Sequence, residues 1–285
     1  MPVSQNIIAV IFDFDDTLTD DATTKLLESK QIDTNKFWRE ETTALTKDGW
    51  DPALAYLRLL IDYTGEGKPL GKLSNADLRA FGATLDFYPG IPEVFDDLTK
   101  QVQEHDASRP SIEFFIISGG LEEVMRGTKI AKFFKGIYGS RFAEKDGSIA
   151  HVMNSVTFTE KTKYIFAINK GVDHMIRREP FIVNQKVDHA DRRIPIENMI
   201  YIGDGLTDVP CFSVMAQFKG QAFGVFNPER EGSPKKAWEQ LIAPRRVATM
   251  NSPRYGSKDD LGAILRAAVR QICLRLDTRA RAPLQ

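Results

Sequence analysis

The spacing of apolar residues follows two patterns, which alternate along the chain. Short runs that are apolar at almost every position are typical of parallel strands covered on both faces. Such runs occupy residues 7–12, 112–118, 136–142, 198–204 and 221–226. Between most of them the apolar spacing is helical, as in the stretches that begin at Ile91 and Lys161. This alternation predicts an α/β fold, in which a mainly parallel, doubly wound sheet has right-handed crossovers.

Residues 20–87 interrupt this alternation, because they contain amphipathic stretches but no strand-like run. Four such stretches, each bounded by Asp, Asn, Gly or Pro, begin near Thr23, Thr34, Pro52 and Asn75. We therefore predict a small all-α domain of about four helices, inserted into a discontinuous core. In this division residues 1–19 and 88–285 form the core, and residues 20–87 form the helical domain.

Two further segments depart from simple alternation. The sequence AEKDGSI, between two short strand-like runs, predicts a β-hairpin with its turn near Asp146 and Gly147. The segment of residues 171–195 is too long for an ordinary loop between a helix and a strand, and it carries clustered basic side chains. These features indicate either an additional helical excursion or a mobile loop.

Composition narrows the class of protein. The chain has 285 residues, 42% of them hydrophobic, which is enough for a full core and a smaller domain. Its net charge of −1 and lack of long single-sign blocks give no indication of nucleic acid binding, and we interpret the arginines near the C-terminus as a solvated helix end.

No apolar run approaches the roughly 20 residues of a membrane span, and no secretory leader is recognisable. We expect a cytoplasmic protein with no membrane partner, in which Cys211 and Cys273 are reduced and packed.

Polar residues follow several of the predicted strands. Asp13 and Asp15 follow the first, Ser118, Gly119 and Gly120 follow the second, and Asp204 and Asp208 follow the fourth. Each group alone is ordinary turn chemistry. Ligands of an open parallel sheet, however, bind beyond the carboxyl ends of its strands, where all of these residues are expected to meet.

The carboxylates at this edge require a cation. Two charges 4 Å apart repel by about 4 kcal/mol at an effective dielectric near 20, so Asp13, Asp15 and Asp204 are not expected to converge unaccompanied. Oxygen ligands with open positions favour Mg²⁺. An EF-hand calcium loop is excluded, because its sixth and twelfth positions would be Leu18 and Thr24.

Lys161 predicts an anion at the same edge. A cation in the first turn of a helix opposes the helix dipole unless an anion lies beside it, and this position favours Lys161 over Lys163. Ser118 and the N–H groups of Gly119 and Gly120 add small donors for an anionic oxygen. Because no histidine is placed to act as its base, we interpret Ser118 as a binding residue and not as a nucleophile.

A metal, a lysine and backbone donors around a carboxylate describe a site for phosphoryl transfer to that carboxylate. The attack produces an acyl phosphate, and a second carboxylate two residues later can protonate the leaving alcohol and afterwards activate water. Asp13 and Asp15 have this spacing.

The motifs DFDDT, IISGG, Lys161 and GDGLTD, in this order, resemble those of the haloacid dehalogenase superfamily. The resemblance spans residues 7–227 and implies a three-layer, Rossmann-like core with Asp13 as nucleophile and Asp15 as general acid and base. It also implies that Thr17 supports the loop and that Ser118, Gly119 and Lys161 bind the phosphoryl group. Mg²⁺ would be held by the Asp13 carboxylate, the Asp15 carbonyl and Asp204, with Asp208 ligating directly or through water and orienting Lys161.

The resemblance extends to phosphoserine phosphatases, which have a similar helical cap and hairpin. These enzymes have a glutamate nine residues after the nucleophile, where this chain has Ala22, which argues against phosphoserine as the substrate. We therefore expect a Mg²⁺-dependent phosphatase for a small phosphorylated metabolite. The alternatives are a phosphomutase or phosphotransferase on the same scaffold, and an inactive member that acts as a binding module.

Overall fold

The computed structural model describes residues 5–230 and 232–282, and its centre is a seven-stranded sheet. The strands are β1 (Ile7–Phe12), β2 (Ser111–Leu121), β3 (Phe134–Lys145), β4 (Ser148–Asn154), β5 (Met199–Gly203), β6 (Gln221–Val225) and β7 (Thr249–Asn251). Their order is β4-β3-β2-β1-β5-β6-β7, and every neighbouring pair is parallel except β3 and β4. The predicted α/β class with a mainly parallel sheet is confirmed.

Helices connect most of the strands. They are α1 (Ala22–Ser29), α2 (Thr43–Lys47), α3 (Pro52–Asp62), α4 (Asn75–Gly82), α5 (Glu93–Gln103), α6 (Glu122–Gly127), α7 (Glu160–Lys170), α8 (Val209–Gln217), α9 (Ser233–Ala237) and α10 (Asp260–Arg281). A π-helical segment, Lys36–Thr42, leads directly into α2. The four amphipathic stretches between β1 and β2 are therefore helical, as predicted.

Strand β1 shows why the sheet is covered on both faces. Ile8, Val10 and Phe12 belong to one buried cluster, whereas Ala9 and Ile11 belong to another. Because successive side chains of a strand point to opposite faces, the two clusters lie on opposite sides of the sheet. Residues of α5 and α10 pack in the first cluster, and residues of α7 and α8 pack in the second, which completes three layers.

The two ends of the helical segment lie side by side where they join the core. Thr19 Oγ1 donates to the carbonyl of Asp86 at 2.6 Å, and the N–H of Tyr88 donates to the carbonyl of Leu18 at 3.0 Å. The chain therefore leaves the core and returns to it side by side. Buried side chains of the segment, such as Leu57 and Leu78, continue the cluster on the first face of the sheet.

Helices α4 and α6 pack backbone against backbone. A Cβ atom added to Gly82 would lie 2.0 Å from the carbonyl oxygen of Val124, and one added to Gly127 would lie 1.9 Å from that of Arg79. Both distances are far below van der Waals contact, so neither position accommodates a side chain in this arrangement. We call this contact the glycine crossing.

The remaining segments add detail that the pattern did not contain. The hairpin of β3 and β4 turns at Asp146 and Gly147, both with positive φ, as predicted. Residues 171–195 form turns and two short 3₁₀ helices, Pro180–Asn184 and His189–Asp191, which is neither of the two expected forms in full.

The C-terminal arginines differ from the interpretation as a solvated helix end. Arg275 is half-buried and donates to the Glu197 carbonyl and the Asn198 side chain, while Arg279 pairs with the Glu197 carboxylate at 2.8 Å. These contacts attach α10 to the start of β5. In the part of the chain that the structure describes, no helix combines the length and the apolar character needed to cross a membrane.

Candidate active site

Asp13 lies at the carboxyl end of the central strand β1 and is 5% exposed. Its N–H donates to the carbonyl of Ile202 on β5 at 2.8 Å, which extends the sheet by one residue. Asp13 Oδ1 accepts from the N–H of Phe14 at 2.8 Å, and Oδ2 accepts from Lys161 Nζ at 2.8 Å. The carboxylate is therefore held in one orientation at the middle of the sheet edge.

Lys161 connects Asp13 to Asp208. It is the second residue of α7 and is 1% exposed, and its Nζ lies 2.7 Å from Asp208 Oδ1. The same Oδ1 accepts from the hydroxyl of Tyr201 at 2.7 Å. Lys163, by contrast, pairs with Glu160, so it is Lys161 that the structure brings to the acidic edge.

Asp15 lies beside Asp13 where the chain turns away from the sheet. Its Oδ1 accepts from the N–H of Ala22, the first residue of α1, at 2.8 Å. Asp16 has a left-handed conformation with φ 53°, and its side chain accepts from Arg230. Aspartate tolerates this conformation better than most residues. Asp16 thus opens the turn of residues 16–18 that directly follows Asp15.

Thr17 is fully buried inside this turn. Its carbonyl accepts from the hydroxyl of Tyr255 at 2.8 Å, and its N–H donates to the carbonyl of Phe14. Its Oγ1 has no hydrogen-bond partner among the described residues. The position agrees with the predicted supporting role, which remains a prediction.

Ser118, Gly119 and Gly120 lie within the last part of β2, which runs to Leu121, whereas the apolar run predicted a strand that ends at Ser118. The register with β3 shifts between Ile117 and Leu121. Ser118 Oγ accepts from the N–H of Gly120 at 3.1 Å. The carbonyl of Gly119 accepts two bonds, from Tyr56 Oη at 2.6 Å and from Ser140 Oγ at 2.8 Å. Tyr56 belongs to α3, so a helix of the inserted segment holds the strand end that faces Asp13.

Burial dominates the electrostatics of the acidic groups. It raises the pKa of Asp13 to about 6, together with the nearby Asp208 charge and against the influence of Lys161. Burial and the Asp21 carboxylate raise the pKa of Asp15 well above its usual range. Burial lowers the pKa of Lys161, but the charges of Asp13 and Asp208 raise it more, so the net shift is upward.

Asp204 completes an acidic cluster. One carboxylate oxygen from each of Asp13, Asp204 and Asp208 lies within 4.8 Å of the others. Burial and the charges of Asp208 and Asp13 raise the pKa of Asp204 well above its usual range. Within the described residues Asp204 accepts no hydrogen bond from protein, and only Lys161 offsets the acidic charges directly. This oxygen-only donor set fits a hard divalent cation.

These residues form one end of a cavity of about 460 Å³. Its other walls come from the helical segment, from the loops before α7 and after β5, and from α9. The walls that do not bear on the acidic cluster include Thr23, Trp38, Thr42, Pro52, Ala53, Tyr56, Val156, Phe158, Leu206 and Lys236. We call this the catalytic pocket.

Two tyrosines contact the site but were missed in the sequence. Tyr201 bonds to Asp208, and Tyr56 bonds to Gly119. Tyr201 stands in the strand that precedes Asp204, so a hydroxyl in an otherwise apolar buried run was an available signal. Tyr56 offered none, because an amphipathic helix contains many aromatic residues with no such contact.

Comparison with protein families decides the relationship. The family model of haloacid dehalogenase-like hydrolases matches residues 10–213. The chain belongs to this family. The family resemblance and the hydrolase class predicted from the motifs are thereby confirmed. An uncharacterized protein of Borreliella burgdorferi is 30% identical over 233 residues, which cover 74% of this chain and 79% of that protein.

Solved structures agree with this family at the level of the fold. A hydrolase of the same family from Salmonella enterica serovar Typhi is 14% identical, with a TM-score of 0.55, covering 89% of this chain and 69% of the other. A phosphoserine phosphatase solved as a phospho-aspartyl intermediate analogue is 16% identical, with a TM-score of 0.51, covering 92% and 99%. A probable phosphoserine phosphatase from Vibrio cholerae is 14% identical, with a TM-score of 0.54, covering 98% of this chain and 68% of the other.

Proposed function

We propose that this protein is a Mg²⁺-dependent phosphatase that hydrolyses a small phosphorylated metabolite through an aspartyl phosphate. The observation that carries the proposal is the grouping of Asp13, Lys161, Asp204 and Asp208 at the edge of the sheet, with Asp15 adjacent. Membership of the hydrolase family supports it.

In the proposed reaction Asp13 is the nucleophile. The Asp13 carboxylate oxygen forms a bond to phosphorus while the bond from phosphorus to the substrate's alcohol oxygen breaks. Asp15 donates its proton to the departing oxygen, which leaves as the alcohol. The upward pKa shift of Asp15 supports this role, because a general acid must hold its proton near neutral pH.

Hydrolysis of the acyl phosphate uses the same two residues in reverse roles. Asp15, now ionised, accepts a proton from a water molecule that attacks phosphorus, and the bond from phosphorus to the Asp13 oxygen breaks. Asp13 is regenerated as a carboxylate, and phosphate leaves. Lys161, Ser118 and the N–H of Gly119 bind the phosphoryl oxygens throughout.

Mg²⁺, when bound, would neutralise phosphoryl charge, held by the Asp13 carboxylate, the Asp15 carbonyl and Asp204. Asp208 has both oxygens engaged by protein groups, Oδ1 by Lys161 and Tyr201 and Oδ2 by the N–H of Gly205 at 3.2 Å. We therefore propose that Asp208 orients Lys161 and reaches the metal through water, the second of the two roles considered from the sequence.

We propose that residues 20–87 act as a cap domain on the core of residues 1–19 and 88–285. Their helices supply Trp38, Thr42 and Tyr56 to the wall of the catalytic pocket. A cover of this kind excludes water during phosphoryl transfer and selects the alcohol portion of the substrate. Ala22 in place of a glutamate supports a substrate other than phosphoserine.

The proposal is tested by phosphate release from 4-nitrophenyl phosphate and from a panel of phosphorylated metabolites, with Mg²⁺. We expect Asp13→Asn to lower turnover by at least about a thousandfold, because the nucleophile is lost. The neighbouring Asp16→Asn is the matched control and should keep most activity. Turnover that survives Asp13→Asn would contradict the nucleophile, and transfer without phosphate release would indicate a mutase.

A further inference from the structure

A second cavity, of about 430 Å³, lies beside the first half of β3 and shares no lining residue with the catalytic pocket. Five basic side chains line it: Arg126, Lys135, His174, Arg177 and Arg193. We call it the basic pocket. Three of the five belong to residues 171–195, the segment for which the sequence predicted no function.

Two arginines of the basic pocket share one carboxylate. Arg126 Nε donates to Glu122 Oε1 at 2.7 Å, and Arg177 donates to the same oxygen. Both also donate to the carbonyl of Ile137, at 3.1 and 3.2 Å. Glu122 is only 2% exposed, so it fixes two guanidinium groups side by side at the wall of the cavity.

The other basic residues differ in how far they are neutralised. Arg193 forms two bonds to Glu113, at 2.7 and 2.6 Å. Lys135 and His174 form no ion pair with any residue in 5–230 or 232–282. Asp173, which also lines the cavity, accepts from Tyr138 Oη at 2.7 Å.

Positive charge therefore exceeds negative charge in this cavity. Within residues 5–230 and 232–282, the carboxylates that contact or line this cavity are Glu113, Glu122 and Asp173, against the four cations Arg126, Lys135, Arg177 and Arg193. A structural network that only attached residues 171–195 to the core would not need Lys135, which comes from β3 and pairs with none of these carboxylates. An excess of positive charge around a concave surface favours an anionic occupant.

We propose that the basic pocket binds a phosphoryl group, as free phosphate or as part of a phosphorylated metabolite. Guanidinium groups present several N–H donors in a planar fork that matches phosphate oxygens, and Arg126 and Arg177 each use only part of theirs on Glu122 and Ile137. Lys135 adds a mobile point charge. The site is distinct from the catalytic pocket and does not depend on the proposed reaction.

The test is calorimetric titration of the full-length protein with inorganic phosphate, at constant ionic strength set by chloride, with and without Mg²⁺. We expect Lys135→Ala and Arg177→Gln each to weaken one phosphate-binding event by about tenfold or more, since each removes a charge-assisted contact. Lys132→Ala and Arg178→Gln, exposed neighbours that do not line the cavity, are the matched controls and should bind as the wild type does.

Further variants separate the two cavities. Ser118→Ala should weaken only the event at the catalytic pocket, so a wild type with two events should keep one in each class of variant. Phenylphosphonate, which is not hydrolysed, identifies the occupant: binding at the basic pocket indicates a phosphorylated metabolite, and exclusion indicates free phosphate. Lys135→Ala leaves the guanidinium network intact, so it tests the proposal even if Arg177→Gln unfolds the segment. Phosphate binding unchanged in Lys135→Ala, or lost only with Ser118→Ala, would overturn the second site.

Discussion

At the scale of single residues, Gly119 and Gly120 make a sharp comparison. A Cβ atom on Gly120 would lie 2.5 Å from Asp15 Oδ2, whereas one on Gly119 would lie 3.4 Å from the carbonyl of Val156. The first distance forces Asp15 to move, and the second is ordinary contact.

We therefore expect Gly120→Ala to lower kcat/KM by about a hundredfold, because a displacement of about 1 Å in a reacting group costs this much. Gly119→Ala should change it by less than about threefold, because alanine keeps the backbone N–H and its Cβ atom meets only an ordinary contact. Steady-state kinetics with Mg²⁺ check this. Equal losses in the two variants would mean that the close approach to Asp15 is not what limits activity.

Some residues of the site could be located from the local sequence pattern, and others could not. Asp13, Asp15, Lys161 and Asp204 were predictable because each follows a strand or opens a helix, and the topology alone brings those positions together. Tyr56 was not, because its bond to Gly119 spans 63 positions and depends on how α3 lies over the core. Sequence pattern fixes what a strand delivers to the sheet edge, but not what another element lays on top of it.

At the scale of elements, that bond links α3 to β2. Tyr56→Phe removes one of two hydrogen bonds to the Gly119 carbonyl, and Ser140→Ala removes the other. We expect Tyr56→Phe to lower kcat/KM by about five- to tenfold, the equivalent of one ordinary hydrogen bond, with little change in thermal stability. The comparison with Ser140→Ala shows whether the contribution is specific to the helical segment, and full activity in Tyr56→Phe would contradict it.

The docking of α10 is sensitive to pH. Asp277, 8% exposed, accepts from Ser108 Oγ at 2.7 Å, the Ser108 N–H at 3.0 Å and His105 Nδ1 at 2.7 Å. Hydrogen bonds from Ser108 and His105 lower the pKa of Asp277 to about 2. Because an unfolded aspartate titrates near about 3.9, this stabilisation is complete above about pH 4 and is lost as pH falls toward 2.

We expect Asp277→Asn to lower the free energy of unfolding by about 1–2 kcal/mol at pH 7. The difference from the wild type should shrink between about pH 4 and 2, as the wild-type carboxylate takes up its proton. Urea unfolding at several pH values measures it, with Asp260→Asn at the exposed start of the same helix as control. A difference that stays constant down to pH 2 would exclude the carboxylate charge as its cause.

Elements with strong periodicity were predictable, and weakly patterned ones were not. The runs that became β1, β5 and β6 have nearly the predicted bounds, because continuous burial leaves a continuous apolar signature. Strand β7 has three residues, Thr249–Asn251, too few to show any period. Residues 171–195 fold through side-chain bonds such as those of Arg177 and Arg193, which no local pattern encodes.

At the scale of the whole molecule, the acidic cluster opposes folding when no cation is bound. Asp13, Asp204 and Asp208 approach within 4.8 Å of one another, and among residues 5–230 and 232–282 Lys161 is the one cationic side chain that bonds to the cluster, through Asp13 and Asp208. A cation that binds only the folded chain adds stability by mass action, about 2.7 kcal/mol at a hundred times its Kd.

We expect Mg²⁺ to raise the Tm by several degrees and EDTA to reverse this increase. Removal of the metal by EDTA should also abolish activity. Asp204→Asn should lose most of this Mg²⁺ response, and its Tm without metal should equal or exceed that of the wild type, because one repelling carboxylate is gone. Thermal scans of both proteins with and without Mg²⁺ decide it. A variant that is less stable than the metal-free wild type would contradict the repulsion.

The glycine crossing has a consequence for recombining this chain with its relatives. The helical segment enters and leaves the core at neighbouring points, so replacing residues 20–87 with another segment leaves the sheet uncut. The exchange must nevertheless preserve the glycine crossing, because Gly82 belongs to the exchanged segment and Gly127 belongs to the core. In chimeras we therefore expect donor segments to be accepted only when they bring glycine at the position of Gly82, whatever substrate they select.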